Sequence, residues 1–218
     1  MNRVDRPAPP RIAAPDLPDE LVEVEGLSAH ADLLRSRIVR LDAVTDASHA
    51  ALTECRVEAP VVDRLDLLGA TLVDVEVEGL RAASLSGREA RLRRVRITGG
   101  RIGTLDLAGA EADEVEIRGI RIDYLSLAGA RVEDLHIVDC VLGTLDLPHA
   151  VLSRVRIEET RADEVDSRGM RSDGVDFRGL DAVSFLDVAA LRGVTISPWQ
   201  AEQLAASFAA SLGIDVRA

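Results

Sequence analysis

The stretch that decides the fold is LDLAGAEADEVEIRGIRIDY, Leu105 to Tyr124, because the twenty residues on either side of it have nearly the same form. From Leu65 the chain reads LDLLGATLVDVEVEGLRAAS, and from Leu125 it reads LSLAGARVEDLHIVDCVLGT. Cut in fives from Leu65, the sequence becomes LDLLG, ATLVD, VEVEG, LRAAS, with the first and third letters mostly apolar and the rest mostly polar or glycine. That frame runs without a slip through Ser184, which is six periods of twenty.

Apolar and polar residues alternating over three positions make a strand too short to stand alone. Each five-residue unit must therefore be one side of a coil whose neighbours lie above and below it. Four units close a coil, because every fourth one starts alike. Side one starts with Leu (Leu65, Leu85, Leu105, Leu125, Leu145), side two with Ala (Ala70, Ala90, Ala110, Ala130, Ala150) and side three mostly with Val (Val75, Val95, Val115, Val155). Side four is mixed, with Leu80, Gly100, Ile120 and Cys140. Glycine ends sides one and three repeatedly, at Gly69, Gly109 and Gly129 and at Gly79, Gly99 and Gly119, as a corner with positive φ asks.

Outside this stretch the frame slips by one residue at Asp46 to His49 and again at Phe185 to Val188, each read as a four-residue unit. Counting outward to Ala31 and Ser197 gives about eight coils, and at ~4.8 Å per layer a rod about 40 Å long. Both ends of such a rod are open edges that need covering. At the C-terminal end SPWQAEQLAASFAASLGI predicts a helix, with Ser197 as N-cap, Pro198 in the first turn, Gln200 completing a capping box and Gly213 as the stop. Leu204, Phe208 and Leu212 recur every four residues as one apolar stripe, with Trp199 at its start, facing either the last coil or a second copy. Residues 1–20 contain PAPP and no periodicity, and read as a disordered Pro-rich tail. The chain thus divides into tail (1–20), β-helix (21–197) and capping or dimerisation helix (198–218).

The repeat resembles the pentapeptide-repeat proteins, whose consensus is Ala, then Asp or Asn, then Leu, then two free positions. Ala31-Asp32-Leu33 matches it outright, and Leu105-Asp106-Leu107 and Val175-Asp176-Phe177 match it loosely. The resemblance covers nearly the whole chain from about Leu21 to Ser197 and implies an all-β solenoid, a right-handed quadrilateral parallel β-helix. Sides one and three depart from the consensus by carrying Leu or Val where the family has Ala. Among the family's members, the Qnr proteins and the mycobacterial fluoroquinolone-resistance type are acidic rods directed at DNA gyrase. The resemblance therefore implies a DNA-mimicking modulator of a type II topoisomerase, a homodimer through the C-terminal helix.

Net charge is −12, which argues against direct nucleic-acid binding, since phosphate-backbone binders carry excess Lys and Arg. No apolar run approaches the ~20 residues a membrane span needs, and the N-terminal residues have no apolar leader core; a cytoplasmic protein is expected. Cys55 and Cys140 both fall on inward positions of different sides, about four layers apart, too far for an intrachain disulfide. His30, His49, His136 and His149 share no register, so neither a metal cluster nor any cofactor is implied.

An Asp or Ser column climbs side one through Asp66, Ser86, Asp106, Ser126, Asp146 and Asp166. Its carboxylates either cap the adjacent turn or serve as an acidic face. A calcium-dependent lyase reading fails because a four-sided coil has no long loops to form a cleft. Charge also alternates by coil. Residues 85–104 hold six arginines (Arg88, Arg91, Arg93, Arg94, Arg96, Arg101) against Glu89, between coils rich in Asp and Glu. Residues twenty apart are stacked neighbours. The belt therefore pairs Arg91 with Glu111 and Arg93 with Asp113, and places Arg94 between Asp74 and Glu114 and Arg96 between Glu76 and Glu116. This is either an inter-coil ion-pair lattice or a docking belt. An Arg column on side four (Arg81, Arg101, Arg121, Arg161) further interrupts any negative face. Two functions follow, both non-enzymatic: the DNA mimic, and a scaffold or spacer binding another protein. A uniform negative face favours the first, and neutralisation by stacked arginine favours the second.

Overall fold

A computed structural model describes residues 7–58 and 60–217 and folds the repeat into a parallel β-solenoid of about eight coils with two short helices at its C-terminal end. Hydrogen bonding links the coils into a twelve-stranded and an eight-stranded sheet. Glu111–Arg118 lies between Arg91–Thr98 and Arg131–Val138, and Arg101–Asp106 lies between Arg81–Ser86 and Arg121–Ser126. The register is twenty throughout this region, so Leu105 faces Leu85 and Leu125, and Val115 faces Val95 and Leu135.

Each strand turns a corner within its length, which is what makes the coil four-sided. In Glu111–Arg118 the pairing passes over Glu114, and in Arg101–Asp106 it passes over Gly103. The other two corners fall between strands. Three of the four corners use a residue in the left-handed region, of the type Gly69, Asp74 and Gly79. At the fourth, Gly103 answers a different need, because a Cβ there would come within 2.5 Å of the Ala83 carbonyl oxygen one layer below.

The core is the stack of first and third letters. Leu105, Ala110, Val115 and Ile120, the four inward residues that open the sides of one coil, are each at most 2 % exposed. Burying an aliphatic side chain of Val, Leu or Ile size is worth roughly 1.5–3 kcal/mol, so the layers hold one another through repeated small contributions. Cys55 and Cys140 take their places in this stack as free, buried thiols, each donating to a carbonyl two residues back at 3.2 Å.

Three expectations are corrected here. The N-terminal slip lies at Leu41 to Val44, not at Asp46 to His49. Ile38 pairs Val57 at a spacing of nineteen, whereas Val44 already pairs Arg64 at twenty. Thr45 disguised this, a polar residue holding the inward leucine position at 4 % exposure by donating its hydroxyl to the Asp42 carbonyl. With the frame corrected, His30 and His49 do share a register. Both sit at the corner closing side one, and their rings stack with centroids 5.3 Å apart.

The C-terminal helix is two pieces, Pro198–Gln203 and Ala205–Ser211, bent at Leu204, whose φ of −91° and ψ of 0° leave the α region. The capping box forms as expected, and the Gln200 side chain, 5 % exposed, goes further. Its amide donates to the carbonyls of Phe177 and Leu180 at 2.7 Å each, satisfying backbone acceptors at the end of the rod. The bend holds Leu204 and Phe208 against the core, while Leu212, beyond it, is 77 % exposed.

The third correction concerns the tail. Residues 1–6 lie outside the described residues, but 7–20 do not project from the rod. They run back along it in extended conformation, with Pro10, Ile12, Pro15 and Leu17 half-buried.

Candidate interaction surface

On side one, the second-position aspartates are turn-formers. Asp66, Asp106 and Asp166 each accept the backbone N–H two residues on, at 3.1, 3.0 and 3.1 Å. Asp146 cannot, because the residue two ahead is Pro148, which has no N–H; it accepts the Ser126 hydroxyl from the layer below instead, at 2.9 Å. Arg64, Arg88 and Arg168 lie against Asp66, Asp106 and Asp166. The column is thus already engaged locally.

On side three, Glu76 and Glu116 hold the arginines of the layers between and beside them. Arg96 bridges the two, 3.7 Å from Glu76 and 3.2 Å from Glu116, as the twenty-residue register requires. Arg56 and Arg118 add their charge to Glu76 and Glu116 respectively. Glu116 is buried, which works against ionisation, yet Arg118, Arg96 and His136 hold its carboxyl below the ordinary glutamate range. Arg91 and Glu111 meet at 3.5 Å, both largely exposed. Arg93 stacks on Asp113 in register, but among the described residues makes no ion pair within 4 Å. The belt of Arg88, Arg91, Arg94 and Arg96 is therefore mostly spent on neighbouring coils.

The feature that sequence reasoning missed is the corner closing side two. Its residues read Glu54, Asp74, Arg94, Glu114, Asp134, Arg154, the same acid-acid-base triplet twice, and every one is left-handed, with φ between 49° and 56°. Each arginine reaches back one layer to the aspartate. Arg94 holds Asp74 in a two-point pair at 2.6 Å for both bonds, and Arg154 holds Asp134 at 2.7 Å for both while also meeting Glu133. Glu54 takes Arg35, from a corner nineteen residues earlier. The sixty-residue pattern is visible in the sequence, but only once the fifth position of side two is read as a column of its own. Of that column the expected stacking placed Arg94 between Asp74 and Glu114; the Asp74 pair forms, and among the described residues Arg94 makes no ion pair with Glu114 within 4 Å.

At and beside this ridge Asp113, Glu114, Glu133 and Asp134 form a carboxylate cluster. Burial first, and then the charges of Glu114, Glu133 and Asp134, push the Asp113 carboxyl above its ordinary range. Asp134 is buried too, but the Arg154 guanidinium and the Arg11 N–H hold it below. Arg94 does the same for Asp74.

The helix candidates divide. Leu204 and Phe208 pack on the rod, whereas Trp199 is 55 % exposed and Leu212, Ile214 and Val216 are each more than half exposed. Among the described residues no group of three or more His, Cys, Asp or Glu is placed to hold a metal ion, and no helix is long and apolar enough to cross a membrane.

Fold and surface together define the class: a parallel β-solenoid of five-residue units whose outward charges are organised in columns. No protein-family model matches the sequence, and no curated protein does. Among solved structures, the chain is similar to two trypsin-treated variants of QnrB1, a plasmid-mediated fluoroquinolone resistance protein. One is 16 % identical with a TM-score of 0.35, over 89 % of this chain and all of that one. The other is 14 % identical with a TM-score of 0.33, over 91 % of this chain and 99 % of that one. At those scores the likeness adds nothing to what the strand register already says of the fold.

Proposed function

We propose that this chain is a non-enzymatic interaction rod that offers a protein partner its charged sides. The partner we propose is one whose groove otherwise holds duplex DNA, with DNA gyrase as the named candidate. The observation that supports this reading is a net charge of −12 carried on a rigid rod at layer spacing, since an acidic rigid body competes for basic grooves built for phosphate. The exposed apolar side chains of Trp199, Leu212, Ile214 and Val216 near the C-terminus support a homodimer joined at the C-terminal ends.

DNA supercoiling by purified gyrase, titrated with this protein in the presence and absence of a fluoroquinolone, tests the proposal. Inhibition or drug protection at low micromolar protein supports it; an unchanged reaction in both arms sinks it. Sedimentation of the wild type against Leu212→Glu with Trp199→Ala tests the dimer, which requires that the double variant sediment as a monomer.

One observation favours a second reading, a scaffold or spacer binding another protein. Stacked arginines neutralise Glu76, Glu111 and Glu116, and Arg64, Arg88 and Arg168 engage Asp66, Asp106 and Asp166, so the negative face is broken rather than uniform. A gyrase assay without effect leaves this reading standing.

A further inference from the structure

Residues 7–20 are laid on the charged corner in a definite register. The Arg11 N–H donates to Asp134 Oδ1 at 2.8 Å, the Ala13 N–H to Glu114 Oε2 at 3.1 Å and the Asp16 N–H to Asp74 Oδ1 at 2.9 Å. The corner residues Asp134 and Asp74 are three layers apart, about 14 Å at ~4.8 Å per layer, and five residues of extended, polyproline-like chain span about 15 Å. The two repeats are therefore commensurate over this stretch. The prolines fit the pattern as well, since Pro10 and Pro15 have no N–H to leave unpaired and fall immediately before two of the three donors.

Charge matches along the same line. The Arg11 charge lies by Asp134 and helps keep it ionised, beside Glu133 and Glu114, whereas Asp16 lies by Arg94, whose guanidinium it helps keep charged. Cation sits over the acidic end and anion over the basic layer. Meanwhile Pro7, Pro10, Ile12, Pro15, Leu17 and Pro18 are the half-buried members of the segment, all of them proline or aliphatic. Backbone donors, charge register and the partial burial of the apolar residues agree with one placement.

We propose that the corner column from Asp74 to Asp134 is a docking ridge for an extended, proline-spaced polypeptide, and that residues 7–20 of this chain occupy it in cis. The tail is a displaceable strap that masks the carboxylate cluster at and beside the ridge. A partner of this ridge presents the same chemistry, an extended backbone with a cation toward Asp134 and an anion toward Arg94, and competes with the tail for it. The proposal stands independently of the gyrase reading, because it is tested on the chain alone.

Amide exchange on the full-length protein is the first measurement. The N–H groups of Arg11, Ala13 and Asp16 are expected to exchange at least about tenfold more slowly than in a free synthetic peptide of residues 7–20, an opening equilibrium of one in ten or rarer. Exchange at the free-peptide rate overturns the proposal, and protection that disappears on dilution overturns the cis assignment in favour of tails exchanged between copies. The second measurement uses the full-length triple variant R11P/A13P/D16P, which removes the three donors while keeping the extended conformation and leaving the rod untouched. A fluorescent peptide of residues 7–20 is expected to bind this variant and not the wild type, whose ridge is occupied. Failure to bind the variant overturns the docking ridge.

Discussion

Two edges of the same coil make the same bend with different residues. At the corner closing side three the chain passes through Gly79, Gly99 and Gly119 at φ of 63° to 65°, where glycine is at no disadvantage. At the corner closing side two it passes through Asp74, Arg94, Glu114 and Asp134 at φ of 49° to 56°, where an L-residue costs about 1–2 kcal/mol. The difference teaches that the side-two side chains contribute what glycine cannot. They pair from layer to layer and accept the N–H groups of residues 11, 13 and 16. Strain alone is not the marker, because the glycine edge itself passes to Asp139 and Glu159 in later coils, also left-handed. What distinguishes the side-two column is that Asp74 and Asp134 each hold an arginine of the next layer, while Glu114 takes an N–H of the tail.

The sharpest way to break the comparison is at Asp134, the hub of the charged edge. Asp134→Ala removes the two-point acceptor of Arg154, which keeps only Glu133, and the acceptor of the Arg11 N–H, and is expected to cost about 2 kcal/mol in denaturant unfolding. Asp134→Gly loses the same contacts but removes the left-handed strain. It should be the milder of the two by about 0.5 kcal/mol or more, net of glycine's extra unfolded-state freedom. Equal losses would show that the backbone is unstrained there. On the silent edge the expectation inverts. Gly119→Val puts its new Cβ 3.9 Å from the nearest atom, the Asp139 carboxylate, which is an ordinary contact. It is expected to lose about 2 kcal/mol from backbone conformation alone, while Gly119→Asn loses under about 1.

The same contrast explains what was legible in the sequence. Leu105, Ala110, Val115 and their copies gave the period, because inward positions repeat their chemistry in every coil, and from the period came the parallel solenoid and the stacking of Arg96 between Glu76 and Glu116. The glycine corners were legible because glycine at a fixed interval has one common cause. The charged corner was not, because charge at an outward position is the default expectation and carries no conformational signal. The Leu41–Val44 slip was hidden by Thr45, whose hydroxyl is satisfied within its own turn. The course of residues 7–20 was illegible for a different reason: its anchors are backbone N–H groups, which every residue but proline has, so nothing in the tail's side chains announces them. The bend at Leu204 likewise follows from contact with the last coil rather than from helix propensity.

A smaller effect separates carboxylates that are helped by the fold from one that is hindered. Asp74 and Asp134 are held below the ordinary aspartate range, so their contribution is fully present above the unfolded value near 3.8 and is lost as pH falls through the depressed folded value. Tail amide protection should accordingly persist at neutral pH and fail only in acid below that value. Asp113 has the opposite sign. Raised by burial and by its acidic neighbours, it opposes folding once ionised, so Asp113→Asn should stabilise the protein at pH 7, by an amount that solvent screening keeps small. That gain should vanish below pH 3.8, where the native carboxyl is protonated in both states. A destabilising Asp113→Asn would mean that Arg93, stacked on it in register, pairs with it in solution.

The smallest expected effect lies on the open face of side two. Arg91 and Glu111 are in register at 3.5 Å, with side chains 70 % and 59 % exposed, so each keeps most of its hydration whether or not it pairs. A double-mutant cycle between Arg91→Ala and Glu111→Ala should return a coupling of about 0.5 kcal/mol or less, screened further by salt. The corresponding cycle between Arg94→Ala and Asp74→Ala, two-point and mostly shielded, should exceed it severalfold and respond weakly to salt. Equal couplings would mean that register alone sets the strength of a pair. A larger value at Arg94 and Asp74 would tie it to the corner, where the left-handed backbone aims two successive layers of side chains at each other and the tail covers them from solvent.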